Sequence, residues 1–359
     1  MEVKTILKEV VGKGASDVFI LAGRPISFKL GGRIEALNDE PLPPAKTDAF
    51  ITEIYKMAPD REIEHLHAKG DDDFAFAIPE VSRFRINVYK QRGSLAAVIR
   101  VVAFSLPDPE KLNIPAAVLD LSERTRGLIL FAGPAESGKT TTLACLIDRI
   151  NSTRNGHIIT LENPIEYLHR HKQSLVSQRE ISLDTESYAA ALRAALRQSP
   201  NVILMGEMRD AETAATALTA AETGHLVIST MFTVGAANAV DRLIDVFPAG
   251  WQERVNMQLS LVLQAIVSQQ LIPTTDGTVV PVFQLMLCNN EIRALIREGA
   301  SSRINQTVDT YADEGMISMD TEILRLYKCG RISARDALTR SLDPDSMARQ
   351  VNSSDKMYF

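Results

Sequence analysis

The eight residues Gly133-Pro134-Ala135-Glu136-Ser137-Gly138-Lys139-Thr140 constrain this 359-residue chain more than any other stretch. They follow an apolar run at 127–132 and precede a helix-like run at 141–147. The pattern G-x-x-x-x-G-K-[ST] needs three things: a strand to deliver the loop, glycines that let backbone N–H groups close around phosphate oxygens, and a helix N-terminus aimed at that charge. All three are present, which sets this stretch apart from a glycine-rich turn before an ordinary helix. Gly133, Ser137, Gly138, Lys139, Thr140 and Thr141 are therefore the expected nucleotide-binding set. Lys139 would reach the outer phosphates, and the Thr140 hydroxyl would ligate Mg²⁺, a hard cation that takes oxygen ligands.

Such a loop belongs to an α/β protein, and the chain is long enough for roughly two domains. A formal net charge of −6 argues against a broad electrostatic surface for nucleic acid. No apolar run approaches a membrane span, and the N-terminus carries no secretory pattern, so the expectation is a cytoplasmic protein. Cys145, Cys288 and Cys329 are far apart and form neither a disulfide framework nor a zinc ribbon.

Residues 1–103 read as a small α/β module. Val3, Ile6, Leu7, Val10 and Val11 form one helical stripe that stops near Gly12 and Gly14. Expected next are a strand at 18–21, a hairpin from 26–30 and 33–37 around Gly31-Gly32, and a helix at 44–57 entered through proline. Asp71-Asp72-Asp73 reads as a solvated turn. Phe74, Phe76 and Ile78 alternate as a half-buried strand, as do Phe84, Ile86 and Val88. The latter strand places Arg83, Arg85 and Asn87 on its other face, either as solvated surface or, with Arg92 and Arg100, as guanidiniums for a neighbouring nucleotide. The prolines at 107, 109 and 115 mark a linker at 104–114.

Beyond it, buried strands at 157–161, 202–205 and 226–231 alternate with helical stripes through Tyr188, Ala191, Leu192, Ala195 and Leu196, and through Ala214, Ala217, Leu218 and Ala221. This alternation implies a largely parallel sheet with both faces covered, and nucleotides bind at the carboxyl ends of such strands. Two of these strands end in acids, Glu162 and Glu207. Glu207 is assigned to the metal side and Glu162 to the attacking water, the alternative being that either glutamate caps the next helix. Val255, Leu259, Val262, Leu263, Ile266 and Val267 read as one long amphipathic helix. A strand at 279–287 and helices at 291–298, 320–329 and 334–342 follow, which gives a core at 115–288, a helical subdomain and tail at 289–359, and a frayed end from 352. His65, His67, His169 and His171 read as surface residues without metal spacing. His225, at the start of a buried strand, reads as structural on position alone.

The segments 162–166, 178–180, 191–197, 206–210 and 220–225, with Glu291-Ile292-Arg293-Ala294-Leu295-Ile296-Arg297-Glu298 further on, resemble the type IV pilus retraction ATPases, the PilT/PilU group of secretion-type motors. The resemblance spans nearly the whole chain. It implies a PAS-like N-terminal domain, a RecA-like P-loop ATPase domain with a helical C-terminal subdomain, and a homohexameric ring that hydrolyses ATP with Mg²⁺. The ring would act on an inner-membrane platform protein from the cytoplasmic face, touching the membrane only peripherally, alone or beside a second retraction ATPase. It further implies that arginines such as Arg85, Arg92 and Arg100 reach nucleotide, that Glu162 with Glu166 forms an acidic box, that Glu207 is the Walker B glutamate, and that His225 is the first histidine of a histidine box with a catalytic part. Three positions depart from the family: Glu136 where glycine is usual, Asn163 for a second acid, and Phe232 for the second histidine. Phe19 also replaces a histidine common in PilT. These departures raise a second reading, a weakly hydrolysing auxiliary subunit. An assembly-type secretion ATPase would carry a zinc module and a longer N-terminal region, and a DNA-translocating recombinase a basic stripe. None of these is expected here, given three scattered cysteines and a net charge of −6.

Overall fold

Val3, Ile6, Leu7 and Val10 are all buried along the first helix, α1 (Val3–Gly12), because the apolar stripe leaves that helix one face to hide. The computed structural model describes residues 2–30, 33–58, 61–102 and 106–355. It divides into two compact units, residues up to 105 with 165–168, and residues 106–164 with 169 onward.

In the first unit α1 is followed by β1 (Asp17–Ile20), β2 (Ser27–Leu30), β3 (Arg33–Ala36), α2 (Pro44–Met57), α3 (Ile63–Lys69), β4 (Asp71–Ile78), β5 (Ser82–Gln91) and β6 (Ser94–Val102). The strands form one antiparallel sheet in the order β3-β2-β1-β6-β5-β4. Its buried face meets α1, α2 and α3 through Phe50, Ile54 and Leu66 against Phe74, Phe84 and Ile86. The hairpin lies where the alternation put it, with Gly31-Gly32 outside the described residues. Asp71-Asp72-Asp73 is not a solvated turn but the start of β4. Asp72 points inward with Phe74 and Phe76, accepts from the Tyr55 hydroxyl at 3.0 Å and faces the Arg61 guanidinium at 3.5 Å. An acid joins a strand's buried face when such partners replace its water.

The second unit runs α4 (Ala116–Leu119), β7 (Gly127–Ala132), α5 (Lys139–Thr153), β8 (His157–Glu162), β9 (Leu175–Glu180), α6 (Tyr188–Ala195), β10 (Val202–Met205), α7 (Ala211–Glu222), β11 (Leu226–Met231), α8 (Ala236–Asp245), α9 (Ala249–Val262), β12 (Leu263–Pro273) and β13 (Val279–Leu287). It ends in α10 (Asn290–Arg297), α11 (Ile304–Thr310), α12 (Met319–Lys328), α13 (Ala334–Arg340) and α14 (Pro344–Asp355). The sheet order is β13-β12-β7-β11-β10-β8-β9, parallel except for the β12–β13 pair. α4 and α5 cover one face, and α6 to α10 the other. α12 to α14 close over Ile272, Val280 and Val282. Residues 106–114 lie with this unit, where the Cys145 thiol meets the Pro107 carbonyl at 3.5 Å.

Two expectations fail here. The long helix stops at Val262, and Leu263, Ile266 and Val267 belong to β12, zipped between β7 and β13. A fully buried strand has no polar alternation, so its apolar residues extend a helical stripe by coincidence. The end expected to fray from 352 remains helical to Asp355 in α14, and 356–359 lie outside the described residues.

Candidate nucleotide site

β7 delivers the loop and α5 receives it, and β12 dictates the loop's glycines. A Cβ on Gly133 would stand 2.4 Å from the Gln269 carbonyl oxygen and 2.6 Å from Ser137 Oγ. One on Gly138, whose φ is +85°, would stand 2.8 Å from Gln269 Nε2. Gly133 therefore excludes any larger residue, and a side chain at Gly138 would have both to take a left-handed backbone and to displace the Gln269 amide. Gln269 also accepts from the buried Thr142 hydroxyl at 2.8 Å, pinning the first turn of α5 to the strand. Gln269 is a supporting residue that the sequence reading missed. The signal was Ser268-Gln269-Gln270, three polar residues directly after the residues assigned to the long helix.

Lys139 is buried, and its ammonium donates to the carbonyls of Gly133 at 2.8 Å and Pro134 at 2.7 Å. It also lies over the Phe232 ring, 4.7 Å from the centroid. Phe232 follows β11 and is 59% exposed. Ser137 is buried within the loop, while Thr140 and Thr141 are half-buried on the first turn of α5. Glu136 is exposed and takes a left-handed backbone, φ +61°, the conformation that glycine adopts without strain.

The parallel register brings the acids to the same edge. Ala132 pairs with Met231, Leu130 with Ser229, Met205 with Ser229 and with Leu161, so β7 and β11 end together and β10 and β8 end within two residues of them, at the same edge. With strands roughly 4.8 Å apart, Glu207 lies about 10 Å along the edge from the loop strand and Glu162 about 14 Å. Glu162 accepts from Thr160 Oγ1 at 2.5 Å and from Gln178 Nε2 at 3.2 Å, contacts that hold it at the strand end rather than as a helix cap. α7 is instead capped by Asp210, which accepts from Thr213 N at 2.8 Å. Glu207 is mostly buried and binds the exposed Arg209 guanidinium at 2.6 Å, which holds the Arg209 pKa up. A hydroxyl on Thr140 and a carboxylate on Glu207, both hard oxygen donors at one edge, fit Mg²⁺.

Tyr188, read from the sequence only as part of a stripe, stands against Gly206 beside both acids. Burial first, then the charges of Glu207 and Glu162, push its phenol pKa up.

His225 is not brought to this edge. It precedes β11, so the six residues of that strand, roughly 20 Å, separate it from the loop end of the sheet. Its Nδ1 lies 3.0 Å from the Ala220 carbonyl at the end of α7, a structural contact. His169 is also not the surface residue expected. Burial depresses it to about 4, and its Nδ1 is buried without a hydrogen-bond partner among the described residues.

Within the first unit, Arg85 and Arg100 are direct cross-strand partners on β5 and β6, while Arg92 lies in the turn beyond β5. Arg85 binds Asp73 at 2.7 Å and Arg100 binds Asp17 at 3.1 Å. Glu166 belongs to that unit and Glu162 to the other.

The model of a family described as type II/IV secretion system protein matches residues 1–317. The chain is 38% identical over 346 residues to the "Type IV pilus retractation ATPase PilT" of Pseudomonas aeruginosa, covering 96% of this chain and all of that protein. It is 38% identical over 342 residues to the "Type IV pilus ATPase PilU" of the same organism, covering 95% of this chain and 89% of that one. A crystal structure of the pilus retraction motor PilT with bound ADP superimposes with a TM-score of 0.88 at 43% identity, covering 97% of this chain and 99% of that chain.

Proposed function

The chain belongs to the type II/IV secretion system family, among its PilT-like type IV pilus retraction ATPases, and from that premise we propose that it hydrolyses ATP to drive pilus retraction. The observation that carries the reading is the shared edge. A phosphate loop whose Gly133 tolerates no Cβ and whose Gly138 is left-handed lies at the same edge as the strand ends bearing Glu207 and Glu162.

In this reading the amides of residues 133–138 and the first turn of α5 hold the phosphates. Lys139 leaves the carbonyls of Gly133 and Pro134 for the outer phosphates. Thr140 and Glu207 hold Mg²⁺, which when bound neutralises charge on the phosphates, and Glu162 orients the attacking water. Arg85, Arg92 and Arg100 reach nucleotide in a homohexamer, where Arg85 and Arg100 exchange Asp73 and Asp17 for phosphate. A chemical part for His225 requires a neighbouring subunit. Residues 1–103, the linker 104–114, the core 115–288 and the helical part 289–359 act as the parts of this motor. The ring binds an inner-membrane platform protein at the cytoplasmic face, and among the described residues no helix is long and apolar enough to cross a membrane.

A second reading, an auxiliary subunit beside an active retraction ATPase, is favoured by Glu136, whose carboxylate and left-handed backbone both stand in the phosphate loop, and by Phe232 over Lys139. The test is genetic. In a piliated strain, deletion should leave surplus pili and no twitching, restored by the intact gene and not by Lys139→Ala. Unchanged twitching and pilus number on deletion would overturn the retraction reading.

A further inference from the structure

α6 begins where Ser187 accepts from Ala190 N at 3.2 Å, and that cap sets Tyr188 as the helix's first residue. Its ring packs against the core beneath α6 and α7. The hydroxyl presses on Gly206: a Cβ built there would lie 2.3 Å from the hydroxyl oxygen, 3.2 Å from Cζ and 3.4 Å from Cε1. Gly206 is the residue on which the chain leaves β10 for Glu207. It is clamped on both sides, its amide donating to the Leu161 carbonyl at 2.8 Å and its carbonyl accepting from Thr230 Oγ1. Leu161 in turn precedes Glu162. The charged groups around the phenol are thus Glu162 from β8 and Glu207 and Arg209 from the segment after β10. A phenol is protonated at neutral pH and so keeps a hydrogen to donate.

We propose that Tyr188 is a positioning residue for hydrolysis, its hydroxyl, lodged against the Gly206 backbone that ties the strand end before Glu162 to the one before Glu207, offering one neutral hydrogen to this carboxylate pair while its ring fixes the reach of Glu207. Two carboxylates on adjacent strands repel, and each has rotamers that turn it away from the site. A donor of no charge offsets that repulsion without taking the place of a metal or of the attacking water. The phosphates are held elsewhere, by the loop and Lys139. The effect of Tyr188 therefore falls on turnover and not on ATP binding.

This inference rests on the hydrolysis reading, and turnover by the unaltered chain separates the two. Tyr188→Phe keeps the ring and deletes only the hydroxyl. The expected result is a kcat lowered about tenfold, the low end for a hydrogen bond to a charged group, with KM for ATP within about twofold and an unchanged melting temperature. Gly206→Ala, which displaces the hydroxyl, should cost much less in the Tyr188→Phe background than alone, because both changes remove the same contact. Wild-type turnover with kcat unchanged in Tyr188→Phe, or strictly additive effects of the two substitutions, would overturn the role of Tyr188 while leaving the ATPase reading standing. No turnover by the wild type would overturn the reading beneath it.

Discussion

The Lys139 ammonium lies 4.7 Å from the centre of the Phe232 ring while donating to two carbonyls of its own loop. The lysine that must meet a phosphate is thus held in place by other partners. A cation–π contact to so exposed a ring is worth about 0.5–1 kcal/mol, and it must be given up if the ammonium moves to a phosphate. Phe232→Ala should therefore tighten ATP binding by about two- to fivefold in equilibrium titration. Equal or weaker affinity would show that the ring assists the bound state instead.

Glu136 places both a left-handed backbone and a negative charge at the phosphate loop. Glu136→Gly removes a backbone cost of about 1–2 kcal/mol, partly offset by glycine's greater freedom when unfolded. It should leave the protein at least as stable and raise ATP affinity several-fold at low salt. That gain should shrink as ionic strength rises, since the repulsion between exposed charges is screened. A gain independent of salt would assign the effect to the backbone alone.

Gln269 supports the loop from β12 through Thr142. Gln269→Leu leaves the buried Thr142 hydroxyl without that partner, at a cost of about 1–3 kcal/mol in denaturant unfolding, and should raise KM for ATP. Wild-type stability and KM would mean that the helix turn holds the loop unaided.

His169 gives a pH signature. Its pKa is depressed to about 4, chiefly by burial, with Lys172 reinforcing and Asp148 opposing. The unfolded chain, with a histidine near 6.5, then binds more protons than the folded one between pH 6.5 and 4. Stability is full above that window and lost as pH falls through it, on the order of 2 kcal/mol by pH 5. His169→Gln should lose less stability than the wild type between pH 7 and pH 5. An equal loss would place the acid sensitivity elsewhere.

The legible parts of this chain were those whose physics is local. β7 and β10 are short, wholly apolar runs and β11 and β13 largely apolar ones, and their limits could be read directly. The loop was legible because its glycines, lysine and threonine carry chemistry at fixed spacing. What was not legible depends on partners distant in sequence. The Asp72 side chain is drawn inward by Tyr55 and Arg61, which no local pattern reveals. α9 and β12 were fused because Leu263, Ile266 and Val267 fit a helical period as well as a buried strand, and with that Gln269 was lost from view. Tyr188 gained meaning only when α6 met the turn after β10. His225 was placed on the resemblance, and strand direction puts it at the far edge.

The most direct test of the account is steady-state phosphate release from Mg-ATP by the purified full chain, with the mass of the assembly measured on the same sample and Lys139→Ala as the blank. The account predicts turnover by a ring-sized assembly that is abolished by Lys139→Ala and by withdrawal of Mg²⁺. A ring that binds ATP yet releases phosphate no faster than the blank would contradict an autonomous motor and leave the auxiliary subunit as the reading.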